Sequence, residues 1–269
     1  MSIVVLGGGN MANALIGGLI AKGYDARAIM VIEISPAARE RIARHGVRVS
    51  TAPDAASDKA DTLLLAVKPQ DARAALASVA SSVHGKLVIS IAAGVRLAAL
   101  SRWLGGHRQL VRCMPNTPAL VGAGVAGLYA LPEVTGAERE RAEQILAAVG
   151  EVVWLRDEEL LDTVTAVSGS GPAYVFWLIE QLAAFAEQAG IAKADALKLA
   201  KHTVLGSAKL AAQSMEAPAQ LRANVTSKGG TTEAALAVFA NEALAERFAR
   251  ALAAATRRGG ELGELLAKD

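Results

Sequence analysis

The chain has 269 residues, of which 52% are hydrophobic and 20% charged, so it can hold one large domain or two modest ones, each with a core. Aromatics are only 4% and alanine dominates the apolar content, a composition that favours helices packed closely through small side chains. A formal net charge of +2 with no basic block argues against a nucleic-acid or membrane-surface role.

In chain order, apolar runs at 3–6, 29–32, 62–67 and 87–91 lack period-2 alternation, as expected of strands buried on both faces of a parallel sheet. Between them, 11–22, 36–45 and 70–83 read as crossover helices, and further short strands are expected at 110–113, 125–129 and 152–155. Repeated βα alternation predicts an α/β fold with a doubly wound Rossmann-type sheet over 1–156. Beyond it, 157–269 predicts an all-helical domain. Tyr174, Trp177, Leu178, Leu182 and Phe185 repeat at helical spacing, with Pro172 in the first turn and Gly190 where a C-terminal cap falls. Three helices follow at 193–214, 231–239 and 243–258. A half this rich in small residues is expected to be covered by a second copy, giving a homodimer.

No basic n-region or cleavage site precedes the first strand, and the strongly apolar stretch 174–179 ends at Glu180, too short to cross a bilayer. The only cysteine, Cys113, excludes an intrachain disulfide and a thiolate cluster and is expected to be packed rather than reactive. The expected location is the cytoplasm, with no membrane partner.

Gly7-Gly8-Gly9-Asn10-Met11-Ala12 sits between the first strand and first helix as G-x-G-x-x-A. Gly7 permits the tight turn and Gly9 lacks a Cβ that would hold off a pyrophosphate. Ala12 lets helix and strand pack closely, and the helix N-terminus offers free N–H groups. This predicts a nicotinamide dinucleotide site. At the end of the second strand, Glu33 suits a ribose diol, whereas Ser35, with Arg39 in reach, suits a 2′-phosphate, so the two signals oppose one another. Ala66-Val67-Lys68-Pro69 ends the fourth strand, where Lys68 is suited to touching the cofactor. Ala92, Ala93 and Gly94 leave room for a nicotinamide ring, and Asn116 offers a donor and an acceptor to a carboxamide or ribose.

Val225-Thr226-Ser227-Lys228-Gly229-Gly230-Thr231-Thr232-Glu233 is a hydroxyl-rich, glycine-containing loop opening a helix, a receptor for a small carboxylate or simply a capped helix start. Taken with the glycine turn, Ala66 to Pro69, Met114-Pro115-Asn116-Thr117-Pro118 and Ser168-Gly169-Ser170-Gly171-Pro172-Ala173-Tyr174, it closely resembles pyrroline-5-carboxylate reductase over nearly the whole chain. The resemblance implies reduction of 1-pyrroline-5-carboxylate to L-proline by NADPH, with NADH as the alternative, in the last step of proline synthesis. It implies that Ser227, Lys228, Gly229, Gly230, Thr231, Thr232 and Ser168 bind substrate, with Thr232 catalytic and facing the ring nitrogen. It also implies a dimer with interlocked C-terminal helices, which some members build into decamers. Ser35 agrees with NADP-preferring members, while Glu33, Pro53 and Asp54 depart from them.

Other chemistry has little support. His45, His84, His107 and His202 have no metal-ligand spacing and are expected at the surface or at helix ends, and no metal is expected. Trp103, Trp154 and Trp177 are expected to pack, and Arg257-Arg258 to end a helix. A β-hydroxy-acid reductase of the same plan would need a catalytic lysine, and Lys198, Lys201 and Lys209 lack the G-x-x-x-N-x-x-K setting. A non-catalytic nucleotide-binding regulator would leave the carboxylate loop without a use.

Overall fold

The structure is a computed structural model that describes residues 2–267. Residues 1, 268 and 269, at the outer ends of the two expected domains, lie outside the described residues. Eight strands form one sheet: β1 (Ile3–Leu6), β2 (Ile29–Ile32), β3 (Arg48–Ser50), β4 (Thr62–Leu65), β5 (Leu87–Ser90), β6 (Leu110–Met114), β7 (Gly124–Ala130) and β8 (Gly150–Trp154). Their order is β3-β2-β1-β4-β5-β6-β7-β8, with all neighbours parallel except the antiparallel pair β6 and β7. The first six strands therefore have the order of a dinucleotide-binding sheet, whose switch point lies between β1 and β4.

Short α-helices connect the strands: α1 (Asn10–Ala21), α2 (Pro36–Ala43), α3 (Ala55–Lys59), α4 (Ala72–Ala77), α5 (Leu97–Trp103) and α6 (Gly136–Leu146). The apolar runs are buried on both faces because the helices cover both. Val5, Val31, Leu64 and Ile89 pack with Leu15 and Ile16 of α1 and Ile145 of α6. Their chain neighbours Leu6, Ile32, Leu65 and Val88 pack with Leu76 of α4 and Leu100 of α5. This alternation explains why the strands read as unbroken apolar runs.

Two compact units result: 1–169 together with 255–269, and 170–254. The division falls later than the expected boundary near Arg156. Between the two lie α7 (Leu160–Val164) and a wider π-type turn over Thr165–Gly169. The second unit holds α8 (Gly171–Gln188), α9 (Lys193–Gln213), α10 (Pro218–Asn224), α11 (Thr231–Asn241) and the start of α12 (Leu244–Ala267), and no strand occurs there. Pro172 starts α8, and Gly190, at φ +98°, follows its end. The helix expected to stop at Arg258 instead continues to Ala267, so Arg257 and Arg258 lie inside it, and Arg258 pairs with Glu261 at 2.8 Å. Gly259 and Gly260 do not break it; they bring it close to Asp162.

Few side chains of the second unit are covered by their own chain. Only Ala196 and Ala200 are buried there, whereas Phe176 and Trp177 of α8 are 60% and 59% exposed and Phe185 73%. Trp177 is thus an exposed side chain rather than the packed one expected. Trp103 packs against the core, and Trp154 donates to Glu143 at 2.8 Å. His84 and His202 are exposed, while His45 and His107 are half-buried, with His107 Nε2 2.9 Å from the Lys86 carbonyl. Among the described residues no helix is long and apolar enough to cross a membrane, and no group of three or more His, Cys, Asp or Glu could hold a metal ion.

Close helix packing yields a stability prediction. A Cβ on Gly18 of α1 would lie 2.5 Å from Val149 Cγ1 and 2.6 Å from the Ala148 carbonyl oxygen. Gly18→Ala is expected to destabilise by about 1–3 kcal/mol, against alanine's helix advantage of about 1 kcal/mol. Urea unfolding checks this, and an unchanged or higher midpoint would refute the close contact.

Candidate active site

The glycine turn lies at the carboxyl end of β1. Gly7 has φ +98°, and a Cβ there would meet the Ala66 carbonyl oxygen at 2.7 Å and Val67 Cγ1 at 2.9 Å. The turn therefore passes directly over the end of β4, and the Gly7 N–H donates to the Ile32 carbonyl at 2.9 Å, which ties it to β2 as well. Gly7, Ala66 and Val67 are thus brought together as the sequence implies. Gly9 is the N-cap of α1, is exposed, and has nothing within 4 Å of its Cβ position. Asn10 is exposed beside it and Met11 is half-buried against the core. The first turn of α1 contains no acidic residue. Open space over Gly9 and a helix N-terminus with no acidic residue in its first turn fit a pyrophosphate.

Polar groups at the end of β2 are more committed than their types suggest. Glu33 Oε2 accepts from the Gly8 N–H at 2.6 Å and Oε1 from the Ser35 N–H at 2.7 Å, so both carboxylate oxygens bind backbone. Ser35 is exposed and caps α2, its Oγ accepting weakly from the Ala38 N–H at 3.5 Å. Arg39 Nη1 donates to the carbonyls of Glu33 and Ile34 at 3.0 and 2.7 Å. A second cation was not anticipated: Arg41 Nη2 donates to the Gly8 carbonyl at 2.9 Å. Its place in α2, just after the second strand, was the available signal.

The other strand ends carry the remaining expected residues. Lys68 is exposed, and Pro69 begins a short 3-10 turn, Pro69–Asp71. After β5, Ala92 is buried, Ala93 exposed and Gly94 half-buried at φ +77°. Asn116, expected beside the cofactor, is tied to the protein by both ends of its amide. It is buried, its Nδ2 donates to the Ser168 carbonyl at 3.2 Å, and its Oδ1 accepts from the Val125 N–H at 2.9 Å. The amide thus joins β7 to the π-type turn; Ser168 Oγ donates back to the carbonyl of Val164, the last residue of α7, at 3.0 Å. Cys113 is buried in the core, and burial pushes its thiol well above the usual range.

In the second unit, the loop before α11 is formed by its own hydrogen bonds. Gly229 has φ +73°, and its N–H donates to Glu233 Oε2 at 2.6 Å. The Gly230 N–H donates to the Ser227 carbonyl at 3.0 Å, and a Cβ on Gly230 would strike Ser227 Oγ at 2.4 Å. Ser227, Lys228, Gly229 and Thr231 are exposed and Thr232 is half-buried. Gly230 caps α11 without a side-chain bond, leaving first-turn N–H groups beside the Ser and Thr hydroxyls for an anion. One expected donor, the Gly229 N–H, is already used.

A dinucleotide-type sheet, an open glycine turn at its switch point and a separate hydroxyl-rich anion loop define an oxidoreductase of the nicotinamide-dinucleotide class. Two family models match: "Pyrroline-5-carboxylate reductase dimerisation" over residues 158–262, and "NADP oxidoreductase coenzyme F420-dependent" over residues 2–94. The pyrroline-5-carboxylate reductase of Pseudomonas aeruginosa is 44% identical over 98% of this chain and 97% of its own. The structure of the Coxiella burnetii enzyme superposes with a TM-score of 0.92 at 40% identity, covering 97% of this chain and 98% of that one. That of Plasmodium falciparum pyrroline carboxylate reductase with NADP bound gives 0.85 at 25% identity, covering 98% of each chain. The chain belongs to the pyrroline-5-carboxylate reductase family.

The open Gly9 separates function from folding. Gly9→Val is expected to keep Tm within about 3 °C of wild type, because the added Cβ meets nothing within 4 Å. It should weaken NADPH binding about tenfold or more. Fluorescence titration with NADPH checks this, and unchanged affinity would remove Gly9 from the cofactor site.

Proposed function

We propose that the chain reduces 1-pyrroline-5-carboxylate to L-proline in the cytoplasm, with NADPH as the favoured reductant and NADH as the alternative. The observation that carries this reading is likeness to named reductases over 98% of the chain, joined to an open glycine turn and the loop at Ser227 to Thr232. The reduced nicotinamide supplies hydride to the carbon of the substrate's C=N bond. In this reading Gly7, Gly8, Gly9, Asn10 and Met11 hold the pyrophosphate end, and Ala66, Val67, Lys68 and Pro69 border it. Ala92, Ala93 and Gly94 border the nicotinamide, while Asn116 acts through the segment it ties down.

Ser227, Lys228, Gly229, Gly230, Thr231 and Ser168 are assigned to substrate. The free N–H groups at the start of α11 and the Lys228 ammonium attract its carboxylate, and the hydroxyls orient it. Thr232 donates a hydrogen bond toward the ring nitrogen, making the adjacent carbon a better hydride acceptor. A hydroxyl is a weak acid, so its contribution is orientation and charge stabilisation more than proton supply. Domain roles follow: 1–156 for dinucleotide and 157–269 for substrate and dimerisation.

The working form is a homodimer, supported by the dimerisation model over 158–262 and by the exposed Phe176, Trp177 and Phe185. Decamers built of such dimers are the larger alternative, distinguished by sedimentation. The reaction is tested by following reduced nicotinamide absorbance with 1-pyrroline-5-carboxylate against 2-oxo, 3-hydroxy and other imino acids. Selective oxidation with 1-pyrroline-5-carboxylate is expected, and none with either cofactor would overturn the reading.

Two substitutions test the roles. Thr232→Ala should lower kcat/KM for the imine about tenfold or more while leaving NADPH affinity nearly intact, and unchanged kinetics would remove Thr232 from the catalytic list. Glu33→Gln removes a negative charge beside the proposed 2′-phosphate position. The NADPH/NADH ratio of kcat/KM should rise about fivefold, and an unchanged ratio would show that Glu33 has no part in selection.

A further inference from the structure

Four charged side chains meet beside the loop that follows β5, and the proposed reaction uses none of them. Arg112 on β6 has 4% of its side chain exposed; its Nη1 donates to Glu158 Oε1 at 3.0 Å, and its Nη2 lies 3.7 Å from Asp162 Oδ1. Arg96, in the loop itself, donates through Nη2 to Asp162 Oδ2 at 2.6 Å. Glu158 Oε1 also accepts from the Leu97 N–H at 2.9 Å, the first N–H of α5. Burial pushes the Arg112 pKa down, opposed by the Glu158 and Asp162 carboxylates, which keep the guanidinium paired. Two cations and two anions thus balance, and each carboxylate holds two partners from different segments.

The last helix covers the same place through its glycines. A Cβ on Gly263 would lie 3.0 Å from Arg96 Nε and 3.2 Å from the Gly94 carbonyl oxygen. On Gly259 it would meet Asp162 Cβ at 3.5 Å, and on Gly260 Asp162 Oδ2 at 3.6 Å. Leu266 reaches within 3.2 Å of the Cβ position of Gly94, and Arg102 of α5 donates to the Ala267 carbonyl at 2.7 Å. The segment from Ile91 to Arg96 is therefore held by β6 and α7 through charge and by α12 through close backbone approach.

We propose that the Arg112–Glu158–Asp162–Arg96 cluster, with the glycine face of α12 against it, positions the loop at Ala92, Ala93 and Gly94 for the nicotinamide and so sets affinity for the reduced cofactor. This rests on the proposed placement of the nicotinamide beside that loop. These four are positioning residues, acting through the loop they hold. Gly94, at φ +77°, lies close to Arg96 in the chain, so a displacement of Arg96 is expected to reach Ala93 and Gly94. Catalytic geometry is sensitive to such shifts.

The test compares Gly263→Ala with wild type and with Gly136→Ala, whose Cβ faces open space at the start of α6. Alanine is the better helix former, so a merely structural role for Gly263 predicts unchanged kinetics in stable protein. The positioning role predicts a KM for NADPH raised about fivefold, a KM for 1-pyrroline-5-carboxylate within about twofold, and Tm within about 3 °C. Gly136→Ala should match wild type.

A KM for NADPH within about twofold of wild type, or both KM values moving together, would overturn the proposal. If Gly263→Ala does not fold, Glu158→Ala and Glu158→Gln decide the matter. A raised KM for NADPH in the alanine variant, with the glutamine variant nearer wild type because it still accepts from Leu97, supports the role. Unchanged values in both variants overturn it. A wild-type enzyme inactive with both cofactors would instead overturn the assigned reaction, whereas an active wild type with unshifted variants sinks this inference alone.

Discussion

The candidate cofactor site depends on one close approach, between the backbone of Gly7 and the carbonyl of Ala66. With a Cβ position 2.7 Å from that oxygen, residue 7 must be glycine if the turn is to pass over β4. Because the order of the first strands reverses between β1 and β4, the same approach places the start of α1 at the crevice where the sheet opens. The start of α1 has no side-chain cap and no acidic side chain in its first turn, and the space at Gly9 is open. A larger residue at position 7 would move the whole helix start, not one contact.

Around this turn, side chains serve the backbone before they serve a ligand. Glu33 bridges Gly8 and Ser35, Arg41 holds the Gly8 carbonyl, and Asn116 joins Val125 to Ser168. Asn116 is the buried one of the three, and its amide has specific partners. The second unit is built differently: its large apolar side chains stay exposed within one chain, and Ala196 and Ala200 alone are buried there. Such a surface adds little to the stability of a single chain.

Much of this was legible in the residues. β1 and β2 lie where their apolar runs begin and end, because strands buried on both faces leave no alternative reading. α1 and α2 follow from a glycine turn and from Ser35-Pro36, a cap followed by a first-turn proline. The glycine turn and the loop before α11 were recognisable because each requires glycines beside polar residues in a fixed order. Less was legible where a residue's partner lies far along the chain. β3 is three residues long with mixed exposure, and α5 and α6 carry no strong helical stripe. Asn116 looked like a ligand contact because its partners at Val125 and Ser168 are set by the fold. The helix was expected to end at Arg257-Arg258, since only the position of Asp162 gives Gly259 and Gly260 a purpose inside α12. Arg112 lies far along the chain from Glu158 and Asp162, so only the fold brings their charges together.

The proposed reaction is a single hydride transfer from a reduced nicotinamide to the carbon of an imine. The most direct measurement uses NADPH carrying deuterium on its transferable C4 position, with 1-pyrroline-5-carboxylate as acceptor, and mass spectrometry and NMR of the product. The expected product is L-proline with one deuterium, on the ring carbon bonded to nitrogen and remote from the carboxylate, for each NADPH oxidised. Proline without deuterium, or NADPH oxidation without proline, would contradict direct transfer and with it the functional assignment of both sites.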